Sequence, residues 1–258
     1  MSASVAVGLI GAGWIGRFHG ESVALRIPPG TRLVAVADPA PGAAASLIER
    51  VSPDARAYTD ALELIADPTV EAVLISTPAS THTDLVVAAA EAGKHVFCEK
   101  PMALTLEDAD RAIGACAANN VALQVGFNRR FAADFAAAHD VITSGGIGTP
   151  QLLRSLTRDP GITADVASRV KPWTIFNETL IHDFDALLWL NPGGHASSRC
   201  SRRPMLSSIR STRSRGGTSI RRWFSCGSTT APSRRPRPTS RPPTVTTFAA
   251  RFSVPVEW

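Results

Sequence analysis

The chain has 258 residues, 44% of them hydrophobic, with a net charge of +5; that is enough for one large domain or two ordinary ones with a real core. No apolar run approaches the ~20 residues a membrane helix needs, and the apolar start, Val5–Ile15, is broken by glycines and lacks the basic leader of a signal peptide. The four cysteines (Cys98, Cys116, Cys200, Cys226) show neither a C-x-x-C pair nor zinc spacing, so a reduced, cytoplasmic chain is expected.

The positive charge is unevenly placed. Up to Pro192 there are 14 basic and 21 acidic residues, a balance of −7; from Gly193 onward 13 arginines face one acid, a balance of +12. The chain changes character at that point.

In chain order, short β-rich runs at Val5–Ile10, Leu33–Ala37, Ala72–Ser76, His95–Cys98 and Val121–Val125 predict strands. Between them Ile15–Leu25, Ala43–Val51, Asp60–Ala66, Asp84–Ala92 and Leu106–Asn119 predict helices, with Thr81 or Thr83 and Thr105 as caps. Near-continuous apolar strands alternating with amphipathic helices predict an α/β class: a doubly wound parallel sheet over residues 1–126. A second, α+β unit begins after Gly126, with a helix at Ala132–Thr143, a strand at Gln151–Thr157 and a helical stretch through Ile175–Asp185. It runs over 127–192. Residues 193–258 hold 13 Arg, 21 Ser/Thr and 7 Pro and no Lys, a composition that cannot offset its ordering entropy by apolar burial. They are expected to be a disordered or frame-shifted basic tail.

Within "GLIGAGWIG", Gly11, Gly13 and Gly16 form G-x-G-x-x-G straight after the first strand, with Trp14 and Ile15 in the turn. The first glycine permits the tight turn, the second admits a pyrophosphate and the third allows close helix–strand packing. The helix that follows offers its free N–H groups to phosphate. Asp38 stands 22 residues after Gly16, where an acid accepts from ribose hydroxyls and repels a 2′-phosphate, favouring NAD over NADP. The bland alternative is glycines kept for packing and Asp38 as a turn residue.

Together, "GLIGAGWIGRFH", "LVAVADP", "STPASTHTDLVVAAAEAGKHVFCEKPMALT", "VGFNRRF" and "IHDFD" resemble the Gfo/Idh/MocA oxidoreductase family, most of all its myo-inositol 2-dehydrogenase branch, from about Val5 to Leu190. The resemblance implies NAD as cofactor, a polyol as substrate and hydride transfer from a secondary hydroxyl. It implies that Lys100 lies at the reacting hydroxyl and that Ser76, Thr77, His82 and Glu99 line the dinucleotide cleft. It further implies that His182 is a general base oriented by Glu178, that Asp185 holds a substrate hydroxyl, and that Asn128 and Arg129 stand at the substrate cleft. On a continuous helix Glu178, His182 and Asp185 would share one face, leaving Ile181, Phe184 and Leu188 for the core. Two features depart from the family pattern: Glu178 replaces the usual Asp, and Trp173-Thr174 stand where a Gly-Gly is usual. A metal site is not expected, since His182 has no second histidine at partner spacing. Neither nucleic acid nor membrane is an expected partner. The resemblance also implies that residues 127–192 are a truncated α+β substrate domain and that the family's homo-oligomer would be compromised by a replaced C-terminal segment. The competing class is a non-enzymatic NAD-binding or basic-tailed interaction protein.

Overall fold

The computed structural model describes residues 4–26, 30–148, 150, 152–157 and 175–191; what was expected of residues 193–258 lies outside them. The chain divides into two units, 1–126 and 127–258.

The first unit is a six-stranded sheet of β1 (Val5–Ile10), β2 (Thr31–Ala37), β3 (Arg56–Tyr58), β4 (Ala72–Ile75), β5 (His95–Cys98) and β6 (Leu123–Val125). Every pairing is parallel, as the sequence predicts, and the order is β3-β2-β1-β4-β5-β6. Alternation along each strand sends side chains to two faces. Val7, Leu9, Leu33, Val36 and Leu74 meet Ala44, Leu47, Ile48 and Val51 of α2 (Ala43–Val51) on one face. Ile10, Ala35, Val73 and Ile75 meet Leu64 of α3 (Ala61–Ala66), Val86 and Ala89 of α4 (His82–Glu91) and Ala112 and Cys116 of α5 (Leu106–Ala118) on the other. Each fully buried Leu, Ile or Val contributes about 1.5–3 kcal/mol relative to exposure.

Caps divide as their chemistry dictates. Asp60 accepts from the Leu62 N–H and Thr105 from the Asp108 N–H, whereas the Thr81 hydroxyl turns back to Thr77 Oγ1 and the Pro78 carbonyl and caps nothing. The stretch expected as one helix from Ile15 to Leu25 is α1 (Trp14–Glu21) followed by a π turn, Ser22–Arg26. Ser22 Oγ donates to the Phe18 carbonyl at 2.8 Å, a back-bond that favours such bending. Strand β3 was not anticipated: it has three residues, pairs on one side only, and carries no apolar run. Near it Asp67 is buried and accepts from Thr69 N–H and Oγ1, from the Tyr58 hydroxyl at 2.9 Å and from Arg56. Lys94 Nζ donates to the Asp67 and Val70 carbonyls at 3.0 and 2.7 Å.

The second unit contains a 3₁₀ turn, Asn128–Phe131, then α6 (Ala133–Thr143), a π turn, Ile175–Thr179, and α7 (Ile181–Trp189). Among the described residues its apolar cluster is small: Phe135, Ile142, Ala186 and Leu190, with Ala138, Ile147, Leu153 and Trp189 packed against it.

Three expectations are corrected here. Residues 152–157 form no strand; among the described residues no neighbour offers a ladder, and Ser155 and Thr157 instead donate to Asp183. The stretch Ile175–Asp185 is not one α-helix, because Glu178 sits in the wider π turn and α7 begins three residues later. The i, i+4 relation of Glu178 to His182 therefore does not hold. Finally, Phe184 and Leu188 are exposed, at 41% and 69%, while Leu180, Asp183, Asp185, Ala186 and Leu190 are buried. The core face of α7 is rotated from the one expected.

Candidate active site

The glycine turn joins β1 to α1 at the carboxyl edge of the sheet, where the strand order switches between β1 and β4. Gly11 has φ +95°, and a Cβ there would lie 2.8 Å from the Ser76 carbonyl oxygen. A Cβ on Gly16 would collide with the Gly11 carbonyl and come 2.8 Å from Ser76 Oγ. These two glycines serve close packing. A Cβ on Gly13, by contrast, would meet nothing within 4 Å. Gly13 is the N-cap of α1, with no side-chain cap and no acid in the first turn. The helix start is thus open and electropositive, the arrangement that receives phosphate.

Asp38 follows β2 and braces this turn. Its Oδ2 accepts from the Ala12 N–H at 2.6 Å and its Oδ1 from the Ala40 N–H at 2.8 Å. Each carboxylate oxygen retains acceptor capacity for a ribose hydroxyl. Ser76, expected to line the cleft, donates its hydroxyl to the Gly11 and Ile10 carbonyls at 2.9 and 3.2 Å; Thr77 follows it. The exposed Trp14 and the half-buried Ile15 open α1. Together the open Gly13, the uncapped helix start and Asp38 fit a dinucleotide.

At the end of β5, Glu99 and Lys100 lead into a cis Lys100–Pro101 peptide. His82, expected at the dinucleotide cleft, opens α4. It is 1% exposed, with Nδ1 2.8 Å from the Pro101 carbonyl and Nε2 2.9 Å from the Thr77 carbonyl. Both ring nitrogens are engaged, so it acts by joining two loops. Glu99 also works within the protein. Its Oε1 accepts from His19 Nε2 at 2.7 Å and its Oε2 from the Lys100 N–H at 3.1 Å. Burial alone would raise the Glu99 carboxyl, but the hydrogen bond and charge of His19, with the Lys100 N–H and charge, hold it below the usual carboxylate range. Sequence reasoning missed His19, which pairs with an acid 80 residues away.

In the second unit the structure gives Asp185 and Arg129 different occupations from those expected. Asp185 accepts from Arg130 Nε and Nη2 at 2.9 and 2.5 Å. Arg129 Nη1 donates to Asp183 Oδ1 at 2.8 Å and Nη2 to Thr157 Oγ1 at 2.6 Å, with its guanidinium over the Phe135 ring. These two of the three substrate candidates are held in internal ion pairs, and Asp183, which sequence reasoning passed over, is the more elaborately bonded acid. Asn128 and Glu178 are exposed and His182 half-buried. Among the described residues no group of three His, Cys, Asp or Glu could hold a metal, and no helix is long and apolar enough to cross a membrane.

The oxidoreductase family with an NAD-binding Rossmann fold matches residues 5–127. Residues 5–127 carry the NAD-binding domain of the Gfo/Idh/MocA oxidoreductases. Among this family's curated members it is similar to a myo-inositol 2-dehydrogenase of Thermotoga maritima, 41% identical over 179 residues, covering 69% of this chain and 52% of that one. It is also similar to a scyllo-inositol 2-dehydrogenase (NAD(+)) of Bacillus subtilis, 37% identical over 191 residues, covering 74% and 55%. Among solved structures, the myo-inositol dehydrogenase of Lactobacillus casei in complex with NAD(H) and myo-inositol superposes with a TM-score of 0.66 at 31% identity, covering 72% of this chain and 54% of that one. The chain thus spans about half the length of the curated Gfo/Idh/MocA relatives it matches.

Proposed function

We propose that the chain is an NAD-dependent oxidoreductase that oxidises a secondary hydroxyl of a cyclitol or sugar, in the manner of an inositol 2-dehydrogenase. The observation that carries this reading is the dinucleotide cradle: an open Gly13 at an uncapped helix start, with Asp38 beside it and Lys100 at the same carboxyl edge of the sheet. Gly11, Gly13, Trp14, Ile15, Gly16, Asp38, Ser76 and Thr77 hold the dinucleotide. When bound, NAD accepts the hydride from the carbinol carbon. Lys100 donates to the carbinol oxygen and favours its alkoxide-like character. His182 takes the hydroxyl proton, a task suited to an imidazole near neutral pH. Glu178 is a weaker contributor, because an exposed acid in the π turn orients the base only loosely. Asn128 lies toward the substrate side.

A second reading is supported by the change of composition at residue 193: an NAD-binding homologue without turnover. We attribute residues 193–258 to a reading-frame shift, in keeping with alignments that cover only 69% and 74% of this chain. Resequencing across codons 185–200 checks this; an unbroken frame, with the expected mass in the expressed chain, refutes it.

Function is tested by titrating the full chain with NADH and NADPH and then assaying myo-inositol oxidation. NADH should bind well ahead of NADPH. In a chain carrying a family-like second domain, Lys100→Ala and His182→Ala should each lower kcat by roughly 10²–10⁴ with NADH affinity nearly unchanged. Full turnover in folded His182→Ala would remove the base assignment. NADH binding without any polyol turnover would favour the second reading.

A further inference from the structure

His82 sits between the loop that follows β4 and the loop that follows β5, and both of its ring nitrogens face the same kind of atom. Nδ1 lies 2.8 Å from the Pro101 carbonyl oxygen and Nε2 2.9 Å from the Thr77 carbonyl oxygen. Carbonyls only accept. A neutral imidazole has one N–H and one lone pair, whereas the protonated ring has two N–H groups. One ring proton therefore satisfies one contact, and the other contact needs a second proton. With the residue 1% exposed, a lone pair left facing a carbonyl has little access to water. The titratable groups on the neighbouring elements are otherwise engaged or lie at the surface. Asp84 of α4 and Asp108 of α5 share Arg111, and Glu99 is held by His19 and by the Lys100 N–H. The Cys98 thiol is pushed up to about 12, mainly by burial, and burial raises Cys116, so both stay neutral. Glu63 of α3 and His95 of β5 are exposed, residues 76–81 carry no titratable side chain, and Lys100 precedes Pro101.

We propose that His82 is a proton-dependent clasp between these two loops: the protonated ring holds both, and the neutral ring keeps Pro101 and releases Thr77. The choice of loop follows from solvent access. Pro101 is buried and Thr77 half-buried, so water can replace the ring at the Thr77 carbonyl, whereas an abandoned Pro101 carbonyl would stay unsatisfied. The sign follows from the proton count. The bond to Thr77 exists only with the second proton, so it is present at low pH and lost as pH rises through the ring's titration. Imidazole is the side chain suited to this, because it changes charge between about pH 5 and 8. The released loop keeps its own bonds, from Thr81 Oγ1 to Thr77 Oγ1 and to the Pro78 carbonyl, so it loosens without unravelling. The consequence for cofactor rests on the reading that Thr77 lines the dinucleotide cleft; the clasp itself rests on the ring and its two carbonyls.

The chain has six histidines, so nitrogen-15 labelling of histidine alone in the full chain lets ring resonances report the proton on each nitrogen. His82→Gln assigns the signals, and His82→Asn takes its place where the glutamine variant does not fold. At about pH 5 both His82 N–H protons should appear, in slow exchange with solvent; at about pH 8 only the Nδ1 proton should remain. Over the same range, amide exchange in residues 76–81, corrected for its intrinsic pH dependence, should quicken by roughly three- to tenfold as the loop loosens. The His82→Gln chain, which cannot titrate at this position, should show no such change. One N–H at both pH values, two at both, or loss of the Nδ1 proton instead of the Nε2 proton overturns the proposal. So does loop exchange that responds to pH equally in His82→Gln. Neither measurement uses NADH or a polyol, so a failure here is distinguishable from a failure of the dinucleotide reading.

Discussion

Arg129 and Asp183, 54 positions apart, are joined by a 2.8 Å bond from Nη1 to Oδ1, with the two side chains 18% and 7% exposed. Ser155 and Thr157 donate to the same carboxylate, so the acid's lone pairs are well used. Breaking a buried pair by removing one partner leaves an uncompensated charge and costs about 3–5 kcal/mol. Asp183→Ala should therefore lower the urea midpoint of the second unit, followed by hydrogen exchange of the α7 amides. Asp183→Ala with Arg129→Met should recover much of the loss. A double variant as unstable as the single one would show that the pair matters less than the hydroxyls around it.

The two glycines of the turn should separate folding from binding. Gly16→Ala places a methyl against the Gly11 carbonyl, so melting should drop by several degrees or the chain should fail to fold. Gly13→Ala meets open space, so stability should stay within about 0.5 kcal/mol while NADH affinity falls roughly tenfold or more. Unchanged NADH affinity in Gly13→Ala would argue against phosphate at that helix start.

Asp38→Ala should narrow the preference for NADH over NADPH, since it removes both a ribose acceptor and a repulsive charge. Because Asp38 also holds the Ala12 and Ala40 N–H groups, affinity for both cofactors should fall as well. Equal binding of the two by the unmutated chain would remove the specificity role from Asp38.

Asp67 carries a pH prediction. Burial alone would raise its carboxyl, but bonds from Thr69 and Tyr58 and the charge of Arg56 hold it below the usual range. A depressed folded value means that the stabilisation is present above the unfolded value of about 3.9 and is lost as pH falls through the lower, folded value. Thermal melts of Asp67→Asn should accordingly show a weaker decline below about pH 4 than those of the unmutated chain.

Tyr58 reports on the same contact from the alkaline side. Burial, then the hydrogen bond to Asp67, raises its phenol; that contribution is present below about pH 10 and is lost as pH rises through the raised value. The chain has one tyrosine, so its ultraviolet titration is unambiguous. The midpoint should move down in Asp67→Asn.

Most of the sheet was legible because a buried parallel strand announces itself: Val5–Ile10 and His95–Cys98 carry apolar runs and were bounded correctly. Arg56–Tyr58 carries none, and only its register with Ala35–Ala37 makes it a strand. In the second unit, the spacing from Glu178 to Asp185 was read as one helical period, and a π turn displaced the origin of that period. Hence Asp183 was passed over although Asp185, two residues on, was chosen. The glycines and Asp38 were recognisable because their tasks are local to one β-turn-α unit. His19 was not, since its partner lies on another strand.

Among the described residues of the second unit, the small apolar cluster around Phe135, Ile142, Ala186 and Leu190 has a consequence for how the chain ages in solution. Segments with few buried apolar contacts open at low free-energy cost and expose their backbone to cleavage first. A protease should trim the C-terminal part while the sheet, closed by the Gly126 N–H on the Cys98 carbonyl, persists as a resistant fragment of about 126 residues. If the sheet alone binds the dinucleotide, an old preparation would still report it by fluorescence long after it had lost His182, so cofactor binding is a poor proxy for an intact chain.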